Sequence, residues 1–253
     1  MELTFTTYLI VCPLLFLAGF VDAIGGGGGL ISLPAYLLAG LPVHQAIATN
    51  KLSSACGTTL ATLRFIKNGL VNLKFAIPSV ISAIIGSSIG ARLSLLADEK
   101  IMENLLFIIL PIAAFIVLNR NLFKDNADAA FTFNAKVCLV TIFSALVIGM
   151  YDGFYGPGTG TFLIIAFTVF GKMNVSTANA QAKVINLTTN LTSLAIFLLN
   201  GQVLFSLGIA AAICNMIGGY LGAGLVMKKG QRIVKPIILL VLFLLFLKIL
   251  GTL

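Results

Sequence analysis

Four stretches of this chain, residues 8–21, 101–118, 203–227 and 233–250, are nearly free of ionisable side chains. No other feature limits its fold as much. About 20 apolar residues of helix cross the hydrocarbon core of a bilayer. A soluble domain needs a charged surface that this chain lacks: 9% of its 253 residues are charged, against roughly 25% in soluble domains. In lipid every backbone polar group must be satisfied within the protein, which leaves helices and closed barrels. A barrel would show weak alternation with a period of two, and the sequence has none. The expected class is an all-α integral membrane protein with the lipid bilayer as its solvent.

A net charge of +8 would suggest nucleic acid in a soluble protein. Here the basic residues fall in short loops between apolar runs, as the positive-inside bias requires, so no nucleic-acid partner is expected. Cys12, Cys56, Cys138 and Cys214 are scattered singly through apolar segments. They lack metal-ligand spacing and read as buried free thiols. The start, Met1-Glu2-Leu3-Thr4, has no basic n-region, so no cleaved signal peptide is expected. No nucleotide, zinc-hydrolase or nucleophile-elbow motif occurs. Neither an enzyme nor a cofactor or metal is expected, and any energy must come from an ion gradient or a separate ATPase.

The chain can be laid over itself. Gly19-x-x-Asp22 matches Gly149-x-x-Asp152, and Gly26-x-Gly28 matches Gly156-x-Gly158, both at an offset of 130. Ala46-x-Ala48-Thr49-Asn50-Lys51 matches Ala178-x-Ala180-Gln181-Ala182-Lys183 at 132, as do Asn68-Gly69-x-Val71 with Asn200-Gly201-x-Val203 and Gly86-x-x-x-Gly90-Ala91 with Gly218-x-x-x-Gly222-Ala223. Anchors in one order with so little drift imply two homologous halves. They are residues 1–119 and 136–253, joined by a cytoplasmic linker at 120–135.

Each half divides into five helical pieces. The expected limits are 8–24, 29–40, 46–66, 75–95 and 101–119, then 136–155, 160–171, 177–199, 203–226 and 233–250. The second piece of each half follows a glycine-rich break and reaches only about 20 Å, too short for a core of about 30 Å. It is expected to be a broken or re-entrant helix. The Gly86 and Gly218 motifs read as close helix packing. Loop charges suggest that the halves are inverted. The loop between pieces three and four carries Lys67 and Lys74 in the first half, and its mate at 200–203 carries none. The loop after piece four is balanced in the first half and carries Lys228, Lys229, Arg232 and Lys235 in the second. Both termini are then expected outside, with Lys172 and the 119–136 loop inside. Inverted repeats with broken helices characterise secondary transporters.

Three constellations carry chemistry. The glycine breaks, Gly25 to Gly29 and Gly156-Pro157-Gly158-Thr159-Gly160, would present half-helix N-termini to an anion. Gly26, Gly28, Gly156 and Gly158 are expected at the solute, with Thr159 adding a hydroxyl. An alanine at such a glycine is expected to cost little stability and much binding. Intramembrane ionisable groups mark solute or proton paths, which nominates Asp22, Asp152, Lys51 and Lys183. The bland alternative is a structural Asp–Lys ion pair, and this stays open, with Asp22 and Asp152 as the proton-coupling or ion-pair groups. Piece three adds amides and hydroxyls: Gln45, Thr49, Asn50, Ser53 and Ser54 in the first half, and Asn179, Gln181, Asn186, Thr189 and Asn190 in the second. His44 is expected at the interface.

Gly19-x-x-Asp22-x-x-x-Gly26-Gly27-Gly28-Gly29, Ala46-x-Ala48-Thr49-Asn50-Lys51 and Gly86-x-x-x-Gly90-Ala91 together resemble the first half of the TauE/SafE family of membrane permeases. Tyr151-Asp152-Gly153-Phe154-Tyr155-Gly156-Pro157-Gly158-Thr159-Gly160, followed by Ala178-x-Ala180-Gln181-Ala182-Lys183, resembles its second half. The five-glycine run departs from the family pattern, which often has a bulkier residue there. The resemblance implies export of sulfite or movement of an organosulfonate. Combined with the residues, it gives an expected secondary transporter of a small anion in the cytoplasmic membrane, coupled to protons through Asp22 or Asp152. The substrate-binding set is Gly26, Gly28, Asn50, Lys51, Gly156, Gly158, Thr159, Gln181, Lys183, Asn186 and Asn190. An uncoupled anion channel and a non-conducting membrane subunit are the alternatives.

Overall fold

The computed structural model describes residues 4–102, 104, 105, 108 and 134–229. These form eight principal helices: α1 (Phe5–Gly25), α2 (Gly29–Leu38), α3 (Val43–Lys67), α4 (Leu73–Leu96), α5 (Ala135–Phe154), α6 (Thr159–Val169), α7 (Val175–Leu199) and α8 (Phe205–Lys229). A further helical turn begins at 99. The expected pieces at 101–119 and 233–250, and most of the linker, lie outside the described residues.

Polar residues set several helix starts. Thr4, Asn72, Asn134 and Asn174 each accept, with a side-chain oxygen, a backbone N–H in the first turn of the following helix, which is what short polar side chains do at N-caps. By contrast α2 and α6 begin at Gly28 and Gly158 without a side-chain cap. They have 10 and 11 residues, against 20 to 25 in the other helices. Five helices (α1, α4, α5, α7 and α8) are long and apolar enough to cross a membrane. α3 has the length but buries Thr49, Asn50, Lys51, Ser53, Thr58 and Thr62 along it. Outward faces are apolar: Phe205, Ile209, Ile213 and Ile217 stand exposed at every fourth residue of α8, a surface suited to acyl chains and unsuited to water.

Glycine contacts fix the helix directions. Gly218 and Gly222 of α8 lie on the carbonyls of Phe16 and Phe20 of α1, so α1 and α8 run the same way. Gly86 and Gly90 of α4 lie on the carbonyls of Leu146 and Met150 of α5, so those two also agree. α3 follows α8, with Leu52 beside Gly208 and Arg64 beside Gly224. The Arg64 guanidinium also donates to the Tyr220 carbonyl at 2.7 Å and sits 4.2 Å from the Tyr220 ring centre. Tight turns reverse the chain between α3 and α4 and between α7 and α8. One end of the bundle thus gathers the starts of α1, α3 and α8. The other gathers the starts of α4, α5 and α7. α2 joins two helices that run the same way, so it doubles back, and its N-terminal Gly28 lies against Ala18 and Asp22 of α1.

Candidate functional site

The two breaks meet in the interior. Gly26 closes α1 in the left-handed region with φ 76°, a conformation that costs glycine nothing. Its α-carbon packs on Gly160, where an added Cβ would come 2.5 Å from it. The Thr161 hydroxyl donates to the Gly25 carbonyl at 2.9 Å. The Asn179 amide donates to the carbonyls of Ala23 and Ile24 at 3.1 Å. The last carbonyls of α1, left without helical partners, are thereby satisfied from the other half of the chain. Opposite, Tyr151 donates to the Pro157 carbonyl at 2.6 Å and steadies the second break.

Each aspartate ends a long helix beside a break and meets the lysine of the other half. Lys51 Nζ lies 3.0 Å from Asp152 Oδ1 and donates to the Asp152 carbonyl at 2.6 Å. Lys183 Nζ donates to Asp22 Oδ2 at 2.6 Å. The remaining partners differ. Asp22 Oδ1 accepts the Gly28 N–H at 3.4 Å. Asp152 Oδ1 accepts the Thr159 hydroxyl at 2.7 Å, while its Oδ2 is buried without a hydrogen-bond partner. Lys51 and Asp152 are 2% and 3% exposed; Lys183 is fully buried and Asp22 is 17% exposed.

Between these pairs lies a cavity of about 20 Å³, room for roughly one water. Asp22, Gly26, Gly29, Asn50, Lys51, Ser54, Asp152, Gly156, Asn186 and Asn190 line it. Two amide oxygens are already engaged: Asn50 Oδ1 accepts from Ser54 at 3.3 Å, and Asn186 Oδ1 accepts from Asn190 at 2.6 Å. Their NH₂ groups are the donors left over, a polarity suited to an oxyanion.

Of the residues singled out by sequence, Gly26, Asn50, Lys51, Gly156, Asn186, Asn190, Asp22 and Asp152 converge on this wall. Gly28, Gly158 and Thr159 are not on it, and Gly158 faces Phe162 and Leu30 instead. The Gly28 amide and the Thr159 hydroxyl are turned to the two carboxylates. Lys183 reaches the wall only through Asp22. Gln181 lies apart, donating to the Asn72 carbonyl at 2.9 Å. Thr49 caps Leu204 N–H and the Ser53 hydroxyl bonds Tyr36 and Asn50, so these bridge helices. Ser54, one of the piece-three hydroxyls, and Gly29, the last glycine of the first break, also line the wall. His44 sits at the bundle end, 3.0 Å from the Ser94 carbonyl and 3.8 Å from Glu99.

One expectation is corrected. The sequence alone makes alanine at a break glycine cheap for the fold. At Gly26 a Cβ would run into the Gly160 backbone, and at Gly28 it would come 2.5 Å from the Asp22 Cβ and 2.6 Å from the Ala18 carbonyl. These glycines hold the two breaks and α1 together, so their replacement damages packing before it touches any solute.

Residues 11–249 match the family model described as sulfite exporter TauE/SafE. A probable membrane transporter protein of Haemophilus influenzae is 37% identical over 90% of this chain and 88% of its own length. One from a Sinorhizobium species is 34% identical over 93% and 89%, and the probable membrane transporter protein YfcA of Escherichia coli is 32% identical over 94% and 90%. No solved structure matches the chain.

Proposed function

The chain belongs to the sulfite exporter TauE/SafE family of membrane transporters, and on that premise we propose that it is a secondary transporter of a small oxyanion, sulfite or an organosulfonate, coupled to protons in the cytoplasmic membrane. The observation that carries this reading is the crossed arrangement of Lys51–Asp152 and Lys183–Asp22 about one cavity, which Lys51, Asp152 and Asp22 line and Lys183 reaches through Asp22. Two lysines and two aspartates make the site formally neutral. A monovalent anion entering alone would leave one uncompensated charge, a penalty of several kcal/mol in a buried site. A proton arriving with it removes that penalty. Asp152 is the favoured acceptor, because its Oδ2 has no partner to lose. Neutral Asp152 releases Lys51, whose ammonium then faces the anion together with the Asn50 and Asn186 amides.

The halves are read as an inverted repeat. α1 and α5 run in opposite directions, and the contacts of Gly86 and Gly90 on α5 reproduce those of Gly218 and Gly222 on α1. Three crossings per half, with α1–α2 and α5–α6 re-entering, account for this if 101–119 and 233–250 each cross once. Charge supports an orientation. Arg64, Lys67, Lys74, Lys136, Lys172, Lys228 and Lys229 gather at the end that holds the starts of α4, α5 and α7, without an acid among the described residues there. The opposite end balances Arg92 and Lys100 with Asp98 and Glu99. The basic end is placed in the cytoplasm.

The test is flux of radiolabelled sulfite by purified protein in liposomes, with thiosulfate, organosulfonates and carboxylates as competitors. Flux that follows an imposed pH gradient is expected. Flux indifferent to the gradient would make the protein an uncoupled channel, and its absence would make it a non-conducting subunit.

A further inference from the structure

A second feature lies outside the transport cavity, on the lipid-facing side of the second half. α5 and α6 diverge toward the basic end and leave a groove of about 720 Å³ between them. Its floor is apolar, with Phe143 and Val147 on α5 and Phe170 past the end of α6. Phe143 and Phe170 are 68% and 63% exposed, so the groove opens sideways. Two cations stand at its mouth, Lys136 and Lys172. Lys172 is held there by a left-handed backbone, φ 56°, found at no other non-glycine residue described.

The dimensions match one leaflet. From Lys136 to Ile148, the deepest α5 residue on the wall, twelve helical steps make about 18 Å. Half of a core about 30 Å thick is about 15 Å. An acyl chain lying along α5 would therefore place its headgroup at the two lysines. The corresponding positions of the first half, at offsets of 130 and 132, are Thr6 and Gly40. The lysines thus belong to this groove and not to the repeated architecture. Basic pockets between transmembrane helices at the cytoplasmic side take anionic headgroups.

We propose that this groove is a binding site for an anionic phospholipid, with its phosphodiester between Lys136 and Lys172 and one acyl chain along Phe143 and Val147. The site is independent of the transport reading and rests on the chain lying in a bilayer with its basic end in the cytoplasm, as proposed above. It is tested by thermal unfolding of the full-length protein in phosphatidylcholine micelles titrated with phosphatidylglycerol. Wild type is expected to gain stability with phosphatidylglycerol, and Lys136→Gln/Lys172→Gln to lose that gain. Lys67→Gln/Lys228→Gln, which removes two exposed cations from the same end, should keep it. An equal gain from glycerophosphoglycerol without acyl chains would overturn the lipid in favour of a phosphate site. Loss of the gain in both double variants would reduce it to general surface charge. A photoreactive residue in place of Phe143 reports the occupant directly. A lipid adduct is expected, whereas cross-linking to residues 230–253 or to a second copy would overturn the proposal.

Discussion

Replacing Lys51 with Met probes the site most directly. The side chain is 2% exposed and its partner Asp152 is 3% exposed. Removing the ammonium leaves a carboxylate in the interior with, among the described residues, only the Thr159 hydroxyl to steady it. Breaking one side of a buried pair costs about 3–5 kcal/mol. Lys51→Met is therefore expected to lose stability of that order, measured by denaturant or thermal unfolding in detergent. Adding Asp152→Asn removes the orphaned charge and should restore most of the loss, so the double-mutant cycle should show strong coupling. Lys183→Met is expected to cost less, since Asp22 is 17% exposed and still accepts the Gly28 N–H. The double variant should fold and yet fail to move sulfite. Two results would refute this reasoning. A double variant no more stable than Lys51→Met would show that the pair is not the energetic unit, and sulfite flux through the folded double variant would leave the pair a purely structural tie.

The break glycines separate by mechanism. Gly26→Ala should unfold or fail to insert, because its Cβ meets Gly160 backbone, whereas Gly158→Ala should cost only about 1–3 kcal/mol for its positive φ of 86°, since the nearest atom is a Phe162 ring carbon at 3.5 Å; equal expression and melting of the two would contradict the packing. Single cysteines at Leu70 and Gln202, introduced on a cysteine-free background, should react with a membrane-impermeant thiol reagent from opposite sides, and same-side labelling would rule out the inverted arrangement.

The architecture was legible where physics is local. Apolar run lengths located the long helices, and glycine-rich breaks located α2 and α6, because too few residues remained to cross. The Gly86 and Gly218 motifs were readable as close packing, since only the lack of a Cβ permits a neighbour's carbonyl there. Partnership was less legible. The matched sequence anchors set Asp22 against Asp152 and Lys51 against Lys183, but correspondence is not contact. That each aspartate takes the lysine of the other half follows from how the halves interlock. The amides show the same limit. Asn50 and Gln181 are alike in a sequence reading of α3 and α7, yet one lines the cavity and the other bonds the Asn72 carbonyl. Helical periodicity assigns a face, and neighbouring helices decide what it touches.

The two ion pairs are alike in chemistry and differ in depth. Lys51 lies eight residues from the start of α3, about 12 Å from the end where α1, α3 and α8 begin. Lys183 lies eight residues from the start of α7, about 12 Å from the opposite, basic end. Each pair therefore lies between the cavity and a different side, and opening to one side is expected to disrupt the nearer pair while the other holds. It follows that Lys51→Met/Asp152→Asn should favour opening toward the starts of α1, α3 and α8, and Lys183→Met/Asp22→Asn toward the basic end. Ser54→Cys on the cavity wall reports this in oriented membrane vesicles treated with an impermeant thiol reagent. It should label from one side in the first background, from the other in the second, and slowly from either side with both pairs intact. Labelling from the same side in both backgrounds would show that the pairs are not the closures, whatever their charge contributes to binding.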